Sequence, residues 1–433
     1  PSALKRLKDA GCDIKGERVH FPRGLAKKLI STVPSEYIQH ARNSERNVHI
    51  GGKSTVFAPV YGSPFVHDLD KGRRYGTIED FQNFVKLAYM SPSMHHSGGT
   101  VCEPVDLPVN KRHLEMVYAH MRYSDKAYMG SVTHPDRAQD SVNLSKILFG
   151  EEFIQNNTVI SSLINANSPM VWDNTMLGAA EVYARNNQAC IITPFILAGA
   201  MAPITIAGAL TLQHAEALAA ITLNQLAKPG APVMYGGFGS NVDMKSGAPS
   251  FGTPEHIQMS IGSGQLARHI GLPWRSAAGA AANTNDMQAT HETVMSLWGC
   301  LQANATMVIH AAGWLEGGLT FGFEKFIQDI EALQAIAHLC KPVAADPAAG
   351  CAALAGTTIP AAAIGISSGA ATLDSAVWQK AAPLTTVERG PTPAATITPA
   401  TPDFCKVLGR IAPLNPQAPF IHFQVNLPRE WNR

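Results

Sequence analysis

From Thr77 onward the chain alternates short apolar or small-residue runs with longer segments whose apolar positions recur every three or four residues. The short runs end in glycine or polar clusters near residues 97–100, 129–131, 163–167, 192–195, 233–237, 276–279 and 308–313. Helix-period segments follow them, over residues 113–122, 138–148, 175–185, 207–226, 254–269 and 291–303. Strands alternating with helices predict parallel pairing through crossover helices, and about eight such units close a barrel. A strand within residues 56–66 supplies the remaining unit. An open doubly wound sheet is the alternative, but the Ala, Gly and Ser crowding the strand ends suits a barrel mouth better. The predicted fold is therefore α/β: a (β/α)8 TIM barrel over residues 76–340.

An N-terminal α+β extension is expected over residues 1–75. Residues 4–29 mix short helical patterns with an extended piece at 18–21, and residues 47–68 alternate around Gly51, Gly52 and Gly62 as a β-hairpin would. Thr77 is placed to N-cap a helix with Ile78, Phe81, Phe84, Val85 and Leu87 on its apolar face. The segment 341–433 reads differently. Its stretch 344–403 is dominated by Ala, Pro, Thr and Gly, with Trp378 its one aromatic residue, a composition that predicts a poor core and a poor helix.

Composition narrows the function classes. Of 433 residues 45 % are apolar and 15 % charged, which predicts a sizeable buried core. Lys plus Arg number 34 against 33 acidic residues, so bulk electrostatics hold this protein to neither nucleic acid nor anionic lipid. No apolar signal segment follows Pro1, and the apolar stretch 189–212 is broken by Thr, Pro and Gly, so no membrane span is expected. Seven scattered cysteines without a CxxC pair predict reduced thiols in a cytoplasmic protein, with neither a disulfide framework nor a cysteine-based metal site.

Several local motifs lack their context. Gly262-Ser-Gly264-Gln-Leu-Ala267 fits GxGxxA but lies inside a helical pattern, which suits helix packing rather than a dinucleotide. His291-Glu292 begins like a zinc-protease motif, yet Met295 stands where the second ligand belongs. The pair His95-His96 has no third ligand nearby in sequence, and no bound metal is predicted.

A longer set of motifs carries the functional signal: Tyr235-Gly236, Asp243-Met244-Lys245-x-Gly247, Gly252-Thr253-Pro254-Glu255, Gly271-Leu272-Pro273, Asp286-x-Gln288-Ala289-x-x-Glu292 and Gly313-Trp314-Leu315-Glu316-x-Gly318-Leu319-Thr320-Phe321. With His214-Ala-Glu216-Ala-Leu218 upstream, they resemble, in order and spacing from about Cys12 to Gln334, the trimethylamine methyltransferase family of corrinoid-dependent enzymes. The resemblance implies a barrel that passes a methyl group from an amine to the Co(I) corrinoid of a separate carrier protein, with no cofactor held permanently. It also implies a homo-oligomer. The pyrrolysine of the archaeal trimethylamine enzymes has no counterpart: Ser276-Ala277-Ala278-Gly279-Ala280 holds small residues, with Ala280 about where it would fall. The chain is thus similar to the pyrrolysine-free branch, whose members demethylate quaternary amines such as glycine betaine.

That departure has a chemical consequence. A neutral tertiary amine is a poor methyl donor, whereas a quaternary ammonium departs as a neutral amine. The barrel then orients, desolvates and holds a cation. Aromatic faces suit that task, and Trp314, Tyr235, Phe195 and Trp172 are the candidates, with Glu316 the nearest carboxylate. Core packing is the competing role for each. Asp286 and Gln288 follow the seventh strand and are candidates for the chemistry or for capping the next helix. Arg275, on the seventh strand, is the expected anchor for a substrate carboxylate, with a salt bridge to a neighbouring strand as the alternative. His96 and Asn167 end their strands and are expected to hydrogen-bond substrate. Two other readings stay open: trimethylamine as the substrate, and a non-catalytic quaternary-amine binding protein.

Overall fold

The apolar runs form seven short parallel strands in one sheet, in the spatial order Val56–Phe57, Met307–Ile309, Trp274–Ala277, Val233–Gly236, Ala189–Thr193, Ile160–Asn165 and Tyr128–Met129. Residues 95–98 join its two edges. The His95 and His96 N–H groups donate to the Phe57 carbonyl, Ser97 N–H donates to Ala127, and the Gly98 carbonyl accepts from Met129 N–H. An irregular segment therefore fills the remaining strand position, and the barrel has no free edge. Its irregularity has a local cause: Gly98 takes φ +94°, and its N–H bonds to His96 Nδ1 at 2.9 Å. The (β/α)8 architecture is as expected. This computed structural model describes residues 2–340, 347–364, 367–383, 385–387, 396–398 and 400–428.

Six helices alternate with the strands as the periodicity predicts, Arg112–Tyr123, Pro135–Phe149, Asn174–Arg185, Ile206–Ala227, Pro254–His269 and Met287–Gln302, and a further one, Phe323–Leu339, follows the last barrel strand. Thr77 caps the Ile78–Met90 helix in a capping box completed by Asp80. Gly262 allows close helix packing, because a Cβ there would lie 2.5 Å from a methyl of Leu210. Helix Ile206–Ala227 is long and apolar enough to cross a bilayer, but it is a crossover helix whose residues Ala217, Ala220 and Ile221 belong to the barrel's core. Inside the barrel, Val56, Met129, Leu163, Ile191, Met234, Met307 and Ile309 form a separate apolar cluster. The 47–68 region corrects the hairpin expectation. Val48–Ile50 pairs instead with Tyr37–Gln39, and Phe65–Asp68 pairs with Gly72–Tyr75, because Val56–Phe57 between them is taken by the barrel.

The chain divides into two units, Pro1–Ala337 and His338–Arg433. In the second, Thr358–Ile359, Ala371–Gln379, Phe404–Ile411 and Ile421–Pro428 form an antiparallel sheet. Leu373, Ala376, Cys405 and Val407 of this sheet form a small core with Cys351, more structure than the Ala/Pro/Thr composition suggested. Cys351 and Cys405 are disulfide-bonded, which corrects the expectation of wholly reduced thiols; the pairing is 54 residues apart and invisible to spacing rules. Cys12, Cys102, Cys190, Cys300 and Cys340 are free.

Candidate active site

Strand register decides which side chains enter the barrel. Arg275 and Ala277 align with Met307 and Ile309, both members of the interior cluster. Arg275 therefore points inward, while Trp274 and its register partner Tyr235 face the helices. Gly236 lies beside Arg275 in register, and a Cβ there would meet Thr193 Oγ1 at 2.1 Å. Only a glycine leaves that wall open.

Arg275 is 1 % exposed, and its Nε and Nη2 have no hydrogen-bond partner among the described residues. Burial pushes its pKa down to about 9, which keeps it charged at neutral pH. Its guanidinium carbon lies 5.4 Å from the centroid of the Phe238 ring. An unpaired buried cation costs several kcal/mol, so the free protein carries an unmet demand for an anion.

Phe238 is the centre of an aromatic cluster at the carboxyl ends of the strands. Its ring centroid lies 5.0 Å from Phe195, 5.0 Å from Phe251, 5.6 Å from His310 and 5.7 Å from Trp314. Trp314 in turn stands edge-on to His310 at 3.7 Å. Its indole rests over the small segment after the seventh barrel position: a Cβ on Gly279 would touch the ring at 3.4 Å, and one on Gly318 would collide with it at 2.5 Å. His310 has φ +62°, and its Nδ1 accepts the Tyr61 N–H at 3.1 Å, so the neutral ring carries its proton on Nε2. Burial, helped by the Arg275 charge, holds the His310 pKa well below the usual histidine range.

The remaining candidates lie elsewhere. Tyr235 is buried in the outer layer with its hydroxyl 3.2 Å from His214 Nδ1 and 3.3 Å from Gln213 Nε2, a correction to its expected place at the mouth. Trp172 is half-buried and donates its indole N–H to the Glu216 carbonyl. Asn167 is exposed and forms an isolated bridge with Val171. Asp286 is the exposed N-cap of Met287–Gln302, and its pKa is lowered by the Ala289 N–H it accepts. Gln288, also exposed, donates to Glu292 Oε1. The Glu316 carboxylate is engaged by Arg73 at 2.9 Å. His96 is fully buried, its Nε2 without a partner among the described residues, and burial lowers its pKa to about 3. Of the ten candidates the structure brings Arg275, Phe195 and Trp314 together.

Sequence reasoning missed Phe238, Phe251 and His310. The signal available was position, since Phe238 directly follows the strand end predicted at 233–237 and His310 lies within the one predicted at 308–313. Glu292, quoted in the sequence only as the end of a motif, takes a structural role: its Oε2 accepts the Ala281 and Ala282 N–H groups at 2.8 and 2.9 Å and so holds the small-residue loop. A separate cavity of about 470 Å³ lies beside the start of the Val56–Phe57 strand, lined by Arg46, Tyr89, His95 and Lys126. Its cations are already engaged: Arg46 pairs with Asp125, and Lys126 donates to the Ala88, Ser91 and Met94 carbonyls.

The trimethylamine methyltransferase (MTTB) sequence model matches residues 1–381. The chain belongs to the trimethylamine methyltransferase family. It is 42 % identical over 341 residues to the glycine betaine methyltransferase of Desulfitobacterium hafniense (strain Y51), covering 78 % of this chain and 71 % of that one. To the proline betaine:corrinoid methyltransferase of Eubacterium limosum it is 26 % identical, covering 76 % and 70 %. Its fold is that of the monomethylamine methyltransferase of Methanosarcina barkeri, with a TM-score of 0.55 at 11 % identity over 77 % of this chain and 73 % of that one. As a member of this family the chain is a methyltransferase. The prediction for Tyr235 follows from its place: Tyr235→Phe is expected to leave substrate affinity within about twofold of wild type by calorimetry, because its hydroxyl bonds only to the helix layer.

Proposed function

We propose that this methyltransferase takes a methyl group from a betaine, a quaternary ammonium bearing a carboxylate, and delivers it to the Co(I) corrinoid of a separate carrier protein. One observation carries the reading: Arg275 holds two buried, unpartnered donors against an aromatic cluster. The carboxylate meets the guanidinium, and the methylated nitrogen rests against Phe238, Trp314 and Phe195. Each aromatic face contributes about 0.5–2 kcal/mol to holding such a cation. Two relatives that share most of this chain's length are named for betaines, which supports the same substrate class.

The chemistry asks little acid–base work of the protein. Co(I) is the nucleophile, and the leaving group departs as a neutral tertiary amine that needs no proton. The barrel's residues orient the donor methyl toward the mouth and exclude water. A pocket of neutral histidines agrees with that division of labour, since His310 lies well below the usual range and burial lowers His256 to about 4. Betaine affinity is accordingly expected to stay flat from about pH 5.5 to 8, and a step centred near the ordinary histidine pKa would contradict it. Stability behaves differently. These histidines refuse protons that the unfolded chain accepts, so their contribution is complete above about pH 6.5 and is lost as the pH falls below it.

The acceptor is supported by the rim. Met170, Ile204, Met244, Met287 and Leu319 are exposed on segments that follow barrel strands, with Met287 87 % accessible. Apolar residues around a mouth suit a docking partner. Met287→Glu with Met244→Glu is expected to slow methyl transfer to the carrier protein at least tenfold while leaving transfer to free cob(I)alamin unchanged; equal slowing of both would argue against docking there.

The reading is tested by a substrate panel: free cob(I)alamin, this protein, and glycine betaine, proline betaine, tetramethylammonium or trimethylamine, followed by absorbance. Methylcobalamin is expected with the betaines and not with trimethylamine. Turnover of trimethylamine alone would replace the substrate assignment, and binding without transfer by any compound would leave a binding protein.

A further inference from the structure

We infer that the buried Lys325–Asp329 pair is a positioning device that fixes Trp314 for cation recognition without itself touching substrate. The inference rests on reading Trp314 as a wall of the betaine pocket. Both residues lie on helix Phe323–Leu339, one turn apart, with side chains 0 % and 2 % exposed. Lys325 Nζ donates to Asp329 Oδ1 and, at 2.9 Å, to Thr293 Oγ1 on the neighbouring helix Met287–Gln302. Asp329 Oδ2 accepts the Gly313 N–H at 2.8 Å.

Gly313 immediately precedes Trp314. It takes φ +93°, and a Cβ there would lie 2.1 Å from the Phe321 ring. Its carbonyl accepts the Gly322 N–H at 2.9 Å, so both polar groups of this residue are bound and the entry angle of Trp314 is set. Thr293 follows Glu292, which holds residues 281 and 282. One ion pair therefore ties the segment bearing Trp314 to the helix that secures the small-residue loop beneath the indole. Buried pairs are poor net stabilisers compared with apolar packing, and their best-attested use is to specify one arrangement among several.

The test is calorimetric titration of glycine betaine and of tetramethylammonium into wild type, Asp329→Asn, Trp314→Phe and the double variant. Asparagine keeps a carbonyl for the Gly313 N–H but removes the charge that holds Lys325. Asp329→Asn is expected to weaken both ligands about tenfold, with their ratio unchanged because Arg275 is untouched. In the Trp314→Phe background the same substitution is expected to cost nothing further. Wild-type affinity in Asp329→Asn, or an equal loss in both backgrounds, would overturn the inference. Should Asp329→Asn fail to fold, Lys325→Met with Asp329→Leu removes both charges together and carries the same comparison. Wild-type protein that binds neither ligand refutes the pocket reading, and the inference with it.

Discussion

Replacing Arg275 with methionine is expected to lower kcat/KM for glycine betaine by about 10²–10³-fold while changing that for tetramethylammonium by less than about threefold. The magnitude comes from two charge-assisted hydrogen bonds made in a site closed to water, together worth about 3–4 kcal/mol. Specificity of this kind is asymmetric: a site built to bond a carboxylate leaves its own donors stranded when the carboxylate is missing. The same substitution carries a second expected result. The free protein buries a guanidinium whose Nε and Nη2 have no hydrogen-bond partner among the described residues. Methionine removes that burden, so Arg275→Met is expected to melt at a higher temperature than wild type in the absence of ligand. A functional residue that destabilises its own fold is the signature of a binding site. A variant both inactive and less stable would instead show that the guanidinium supports the fold, and would contradict the anchor role.

The second large effect belongs to Phe238, which neighbours Phe195, Phe251, His310, Trp314 and the Arg275 guanidinium. Phe238→Leu keeps an apolar side chain but removes the ring face. It is expected to weaken glycine betaine and tetramethylammonium alike, by about 5–30-fold each, the equivalent of about 1–2 kcal/mol of cation–π attraction. Its cost to stability is expected to be about 1–2 kcal/mol, since it deletes only part of the buried side chain. Alanine is the wrong probe, because the cavity it leaves would cost about 3–5 kcal/mol and hide the binding effect. Together Arg275→Met and Phe238→Leu divide the substrate into its two charges: one variant discriminates between the ligands, the other does not.

The barrel was legible because its rhythm of short apolar runs and helix-period segments is repeated through most of the chain. Within the site, legibility depended on what sets each side chain's direction. Arg275 could be found because a charged residue inside a buried strand must face something. Tyr235 could not be placed, because Val233–Gly236 is buried on both faces and a strand packed on both sides shows no alternation. Asp286 carried two roles in sequence, and its position before the helix decided for the cap. Lys325 and Asp329 look in sequence like an ordinary surface pair one helical turn apart. Both are buried, and their partners Thr293 and Gly313 are brought to them by the fold from two other segments. The disulfide of the second unit is likewise a tertiary fact.

On the proposed reading, Arg275 takes the carboxylate while the aromatic cluster takes the ammonium. A crystal structure of the protein with glycine betaine tests it most directly. The expected result is a carboxylate oxygen about 2.7–2.9 Å from Arg275 Nε or Nη2, with the trimethylammonium against Phe238 and Trp314 and one methyl directed to the open mouth. Glycine betaine bound away from Arg275, or with its ammonium outside the aromatic cluster, would contradict it.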